Sequence, residues 1–461
     1  MLPNMSGMKK LMPLLICLVM LAGGVALCGQ DASAQAPAAP AVAPEAAAAP
    51  APPKIDTGDT AWVLVSTALV LAMTAPGVML FYGGMVRVKN TMDTIMQSFI
   101  ILCLISVQWV LWGYSLAFGP DIGGVIGSLK WFGLQGVGLE PNADYAATIP
   151  HQAFMLFQMM FAVITPALIT GAFAERIKFK SFLLFTLLWA TFVYDPLAHW
   201  VWGVGGWIRS LGALDFAGGT VVHISSGVAG LACAIMIKQR MGLGNVGMPP
   251  NNLPMTILGA CMLWFGWFGF NAGSALSAGA LATSTFTATN TATAAAALSW
   301  MAAEWLYRGK PSALGAASGA VAGLVAITPA SGFVGPISSI WIGLGAGVFC
   351  YLAVMLKPLF GYDDALDAVG IHGIGGTWGA LATGLFASKA VNAAGADGLF
   401  FGNPAQLGIQ AIAVLTTYVF VFVGTLVILG VVAGLTGLRV KPEEEQTGLD
   451  VSQHDERAYS S

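Results

Sequence analysis

His223 and His372 each lie inside an apolar stretch, and each is followed by glycines at the fourth and seventh positions: Gly227 and Gly230, Gly376 and Gly379. The shared pattern H-x-x-x-G-x-x-G stands once in each half of the chain. An ionisable side chain inside a membrane is expensive and faces a cavity or a pathway rather than lipid. Two such residues at matched positions predict a duplicated transport body with one histidine from each half. The cargo is then a small polar solute that imidazole can hydrogen-bond. Axial ligation of haem is the other chemistry open to buried histidines, but it calls for supporting ligands that the pattern does not supply. Asp215 lies eight residues before His223, about 12 Å along a helix axis. A carboxylate there caps free N–H groups and complements the helix dipole, and its charge draws a cation to the mouth. Phe157 and Phe161 are four apart and share a helix face. Trp202 closes the fourth apolar run, and Trp267 and Phe270 come late in the sixth, ahead of Asn271 and Ser274. Taken singly these aromatics suit a membrane-interface belt or plain packing. Taken together they suit a cation–π cage with one hydroxyl, at roughly 0.5–2 kcal/mol per ring.

The elements that must position these residues are apolar helices. Of 461 residues, 57% are hydrophobic and 9% charged, against about 25% charged in a soluble chain. Runs near 20 residues exclude a β-barrel, whose strands alternate over about 10. Eleven runs are expected as transmembrane helices: 60–83, 92–118, 152–173, 181–203, 218–237, 253–272, 280–303, 312–330, 335–356, 369–388 and 407–435. The seventh is rich in Thr and Ala, and the eighth is short and full of glycine. Before them, Lys9, Lys10, the apolar run Leu11–Leu27 and Ala32-Ser33-Ala34 read as a signal peptide over 1–34. Residues 35–57 are rich in Ala and Pro and read as a disordered extracytoplasmic segment. With the first helix starting outside, inner segments carry thirteen Lys/Arg and outer segments four, which places the C-terminus in the cytoplasm. The transmembrane domain is then 58–438 and the cytoplasmic tail 439–461. His151 and His199 fall at span ends and His454 in the tail, outside any pore. The six cysteines show no metal spacing and read as buried small hydrophobes. There is no nucleophile with a base, no phosphate loop, no HExxH and no basic patch for nucleic acid; neither an enzyme nor a cofactor is expected.

On Pro76-Gly-Val-Met-Leu-Phe-Tyr-Gly-Gly, Gly171-Ala-Phe-Ala-Glu-Arg-Ile, Asp215-Phe-Ala-Gly-Gly-Thr-Val-Val-His-Ile, Gly266-Trp-Phe-Gly-Phe-Asn-Ala-Gly-Ser, His372-Gly373 and the tail Gly437-Leu-Arg-Val…Gly448-Leu-Asp-Val, the chain resembles the ammonium transporter (Amt/MEP/Rh) family, bacterial Amt branch. The resemblance runs from about residue 58 to the C-terminus. It implies an all-α polytopic membrane protein of eleven transmembrane helices in a 5+5 inverted repeat, a homotrimer with one pore per subunit. It implies that Phe161, Trp202 and Ser274, with Asp215, recruit NH4+. Phe161 and Phe270 would form a stacked gate with Phe157 beside it, and His223, His372 and Trp267 would line the pore below. Ammonia would pass after deprotonation, serving uptake as a nitrogen source across the bacterial inner membrane. The tail would pack under the pores and meet a cytoplasmic PII-type signal protein. The alternatives are a sensor built on the same site and a channel for another neutral solute such as urea or CO2. Against the first, the tail carries no signalling domain; against the second stands the cation cage.

Overall fold

The computed structural model describes residues 54–459. The expected signal peptide, the Ala/Pro-rich segment up to residue 53, and Cys17 and Cys28 lie outside the described residues. Eleven long helical segments follow one another: α1 (Thr57–Met85), α2 (Val88–Phe118), α3 (His151–Phe173), α4 (Phe179–Leu211), α5 (Gly219–Ile237) and α6 (Leu253–Ala275), then α7 (Ala280–Arg308) and α8 (Ala313–Ile327). After them come α9 (Pro336–Phe360), α10 (Val369–Ile374, continued by Gly375–Phe386) and α11 (Pro404–Thr436). By length and hydropathy eight of these can cross a membrane. The Thr/Ala-rich α7, the 15-residue α8 and α10, which opens on a π-helical turn, do not reach that mark by themselves.

The packing is inverted relative to a water-soluble protein. Leu415, Val419, Val423, Val427, Val431 and Leu435 of α11 recur every fourth residue and are all exposed, an apolar stripe fit for lipid. Buried polar side chains lie inside, among them His223, His372, Asp195 and Asn271. The cysteines divide, against the expectation of uniform burial. Cys233 and Cys350 are buried, but Cys103 and Cys261 lie on the exposed faces of α2 and α6, where a small apolar side chain meets lipid as comfortably as a core. Helix α3 packs against α5, α5 against α10, α6 against α1, and α7 against both α8 and α9.

One end of the bundle, the mouth side, carries two short hairpins between α2 and α3. Strand β1 (Asp121–Ile122) pairs with β2 (Ile126–Gly127), and β3 (Pro141–Asn142) pairs with β4 (Ala146–Pro150), both antiparallel. At the opposite end an ion-pair chain links the connecting loops. Arg87 holds Glu175 at 2.7 Å, Arg240 reaches Glu175 at 3.2 Å, and Arg240 holds Asp363 at 2.8 Å. Burial alone would raise both carboxyls, yet the guanidiniums outweigh it and hold them below the usual carboxylate range. The tail folds against this end as two short helices, α12 (Pro442–Thr447) and α13 (Leu449–His454). Glu445 takes a 2.7 Å ion pair from Arg439 and the Met241 N–H, and Lys89 donates to the Glu445 and Gln446 carbonyls. Farther along, Asn90 accepts from the Leu449 N–H, Asp450 accepts from the Asp93 N–H, and His454 lies 3.0 Å from Asp93.

Candidate functional site

His223 and His372 each sit in a π-helical turn, Gly219–Ile224 at the head of α5 and Val369–Ile374 at the head of α10. Such wider turns recur at functional sites. Each head is closed by a carboxylate placed eight residues before the histidine. Asp215 accepts the N–H groups of Gly218 (2.8 Å), Gly219 (2.5 Å), Thr220 (2.8 Å) and Val221 (3.4 Å), and the Thr220 hydroxyl. Asp364 accepts from Ala368 (3.1 Å) and Val369 (2.8 Å). The glycine echo then explains how the two helices meet. A Cβ on Gly227 would lie 2.2 Å from the Gly373 nitrogen, and one on Gly376 would lie 3.0 Å from the His223 Cβ. The glycine four residues after each histidine thus clears room for the other helix at its own histidine.

The result is a stacked imidazole pair, centroids 5.4 Å apart and rings 17° from parallel, with Nδ1 to Nδ1 at 3.3 Å. A hydrogen bond between two ring nitrogens needs one to donate and the other to accept. At least one ring is therefore neutral, and in the neutral pair one Nε2 is a donor and the other an acceptor. The Nε2 of His223 is buried and has no partner within the protein. The pair suits a small molecule that both donates and accepts.

On the mouth side the pair is shut off by aromatic rings. Trp267 stacks on His223 at 5.3 Å and 19°, and its Nε1 donates to the Thr328 hydroxyl at 2.9 Å. Phe270 lies 6.0 Å from His223 and 4.3 Å from Phe161, so those two phenylalanines leave no open passage between them. Phe157 meets Phe161 edge-on at 5.0 Å. Beyond this plug lies a cavity of about 170 Å³ lined by Phe161, Trp202, Ser274 and Gln158 among others. Phe161 and Trp202 stand edge to face at 5.7 Å. Ser274 donates its hydroxyl hydrogen to the Phe270 carbonyl at 2.8 Å, leaving oxygen lone pairs free.

The residues singled out from sequence therefore come together in one file: Phe161, Trp202 and Ser274 at the cavity, Phe161, Phe270 and Phe157 at the plug, Trp267, His223 and His372 behind it. Asp215 is the exception, because it does not line the cavity. Its carboxylate faces its own helix, and its carbonyl accepts the Trp202 Nε1–H at 2.9 Å, so it positions the cavity's wall. Three contributors escaped the sequence reading. Asp364 repeats the eight-residue spacing of Asp215 and could have been found from it. Thr328 and Gln158 carry no local signal.

The Ammonium Transporter Family model matches residues 61–459. The chain is 56% identical to an ammonium transporter of Bacillus subtilis over 403 residues, covering 87% of this chain and 98% of the relative. Among solved structures it resembles Mep2 of Saccharomyces cerevisiae at 36% identity and TM-score 0.79, over 85% of this chain and 89% of that one. It also resembles a sensor Amt protein at 31% identity and TM-score 0.79, over 86% of this chain and 98% of that one. The helical architecture, the apolar spans and these matches agree: the chain belongs to the Ammonium Transporter Family and is a multi-pass membrane transporter, not an enzyme.

Proposed function

We propose that the protein takes up ammonium by binding NH4+ in the outer cavity, removing its proton and conducting ammonia past the phenylalanine plug to the histidine pair. The observation that carries this reading is the 3.3 Å imidazole contact lying directly behind the Phe161–Phe270 pair. Ammonium is charged in water; a lysine ammonium, its nearest model, titrates at about 10.4. Drawing that charge into a dry file costs several kcal/mol, and ammonia avoids it. Phe161 and Trp202 hold the cation by its charge, and Ser274 accepts one N–H. Beyond the plug, ammonia has three N–H donors and one lone pair, which match the acceptor and donor that the neutral imidazole pair offers. Uptake by vesicles containing the purified protein, with ammonium and K+ compared at several pH values, tests the function. A His223→Ala/His372→Ala variant tests the mechanism. Loss of uptake or of selectivity against K+ is expected; unchanged rate and selectivity remove the histidines from the path.

Around this core the reading extends to the whole particle. Helices α7, α8 and α10 cross the membrane with the other eight, giving eleven spans, with the N-terminus outside and the C-terminus in the cytoplasm of a bacterial cell. The thirteen-to-four Lys/Arg bias supports that orientation, and labelling of single cysteines placed at Lys310 and Lys389 from each side checks it. Three subunits assemble, which the mass of the detergent-purified particle tests. A PII-type protein docks on the tail side, which a pull-down with ADP or 2-oxoglutarate tests. A second reading, favoured by the likeness to the sensor Amt protein, is ammonium sensing; binding without flux in the vesicle assay would support it.

A further inference from the structure

Ammonium at the cavity brings four N–H groups, and each one that leaves water needs an acceptor. Aromatic faces take the charge but offer no directed lone pair. Apart from the exposed Asp144 carboxylate at the rim, most polar atoms around the cavity are already committed. Trp202 Nε1 and Arg209 Nη1 are donors, bonded to the carbonyls of Asp215 and Trp202. The Tyr145 hydroxyl donates to the Phe118 carbonyl at 2.7 Å and accepts from the Val204 N–H at 3.1 Å. Ser274 keeps its lone pairs. Gln158 stands three residues before Phe161, on the same face of α3, and lines the same cavity. Its Oε1 is buried and meets no donor within the protein. A buried amide oxygen is ordinarily satisfied, and rotation about the soft terminal torsion of this cavity-lining glutamine brings its unpaired oxygen to a ligand there.

We propose that Gln158 is a substrate-binding residue of the outer site: its Oε1 accepts one N–H of the incoming ammonium while Ser274 accepts another and Phe161 and Trp202 cover the charge. This rests on the ammonium reading above and adds to it a directed acceptor outside the aromatic–serine set. An amide oxygen is neutral, so it strengthens capture at the mouth without holding the ion against release of its proton.

The test compares ammonium uptake by vesicles containing wild type, Gln158→Met and Gln158→Glu. Methionine keeps the length and volume and removes the acceptor. Glutamate keeps an acceptor oxygen and adds charge. The expected result is a KM raised about tenfold in Gln158→Met, the scale of one hydrogen bond to a charged group, with maximal rate within about twofold, and a KM at or below wild type in Gln158→Glu. An unchanged KM in Gln158→Met overturns the inference, and so does an equal rise in both variants, which marks a packing role. If Gln158→Met does not purify as a folded particle, Gln158→Glu decides by itself: a KM held or lowered supports the acceptor, and a raised KM overturns it. Wild-type vesicles that take up no ammonium would instead remove the function proposed above, a failure distinguishable from loss of the Gln158 contact.

Discussion

Replacing Gly227 by alanine tests whether backbone contact sets the distance between the two histidines. The new Cβ would lie 2.2 Å from the Gly373 nitrogen, 2.4 Å from its Cα and 3.0 Å from the His372 carbonyl carbon. All three are backbone atoms, so no side chain can swing aside. Restoring ordinary contact at about 3.5 Å requires α5 and α10 to part by on the order of 1 Å. The Nδ1 to Nδ1 contact of 3.3 Å would then pass 4 Å, beyond hydrogen-bond reach. Overpacking of this kind costs about 1–3 kcal/mol, and the lost neutral hydrogen bond about 1 kcal/mol more. Alanine's better helix propensity returns at most about 1 kcal/mol, so destabilisation wins by roughly 1–3 kcal/mol. Uptake should fall about fivefold or more, since about 1 kcal/mol of transition-state stabilisation is worth about that factor. Gly430→Ala and Gly434→Ala are the controls, because a Cβ at either of those α11 positions meets nothing within 4 Å; they should leave uptake unchanged. The assay is initial ammonium uptake in vesicles beside thermal unfolding of the detergent-solubilised protein. Full uptake and an unchanged Tm in Gly227→Ala would refute the account of how the pair is spaced.

Three further outcomes follow from the surroundings of the file. Asp215→Ala should lower Tm more than Asp364→Ala, because the first strands five donors and the second two, each charge-assisted bond being worth about 1.5–3 kcal/mol; equal shifts in Tm would contradict the capping roles. Arg240→Ala should destabilise by about 3–5 kcal/mol, since it removes the guanidinium shared by the buried Glu175 and Asp363, and thermal unfolding reads it directly. The hydrogen bond to Asp93, outweighing burial, raises His454 above its ordinary value, with Asp93, Glu456 and Asp450 adding to the attraction. Its contribution to tail docking is fully present below about pH 6.5, and is lost as pH rises through the raised value. Protease cleavage near α13 should therefore quicken toward alkaline pH in wild type but not in His454→Gln.

What could be read from sequence was set by the range of the interactions. The helices were legible because hydropathy is a local quantity, and the two histidines because spacings of four and seven are local too. That the glycines after them carry the contact between halves needed the fold, since Gly227 and Gly373 are far apart along the chain. Asp364 is marked only by the eight-residue spacing it shares with Asp215: between Asp363 and Asp367 it otherwise looks like part of a solvated acidic loop, while Asp215 stands alone among apolar residues. Helix α7 fell short in hydropathy because it carries polar residues on both faces: Thr285, Thr289 and Thr293 face the interior, while Thr283, Thr287 and Asn290 are exposed. The backbone carbonyls of Thr285 and Thr289 take up the interior hydroxyls of Thr289 and Thr293, so lipid never meets those two. That the tail packs against the bundle came only from the family resemblance, because Asn90, Asp93 and Met241, which bind it, are distant in sequence.

The carboxylate, π-turn and histidine at the head of α5 recur at the head of α10, and what each copy is fastened to differs. At the mouth, Asp215 offers its carbonyl to Trp202, so the head of α5 is joined to the cavity wall. At the other end, Asp364 is followed in the same loop by Asp367, and Lys357 binds both the Asp364 carbonyl (2.6 Å) and the Asp367 carboxylate (2.5 Å). The preceding Asp363 belongs to the Arg240–Glu175 chain, and Met241, next to Arg240, is held by Glu445 of the tail. The two helix heads thus connect one histidine to the wall of the outer cavity and the other to the tail. Because the two rings share a single hydrogen bond, a shift in either head alters the distance across it. On the function proposed above, a displacement of the tail would therefore reach His372 through the Asp363–Asp367 loop while leaving the outer cavity as it is.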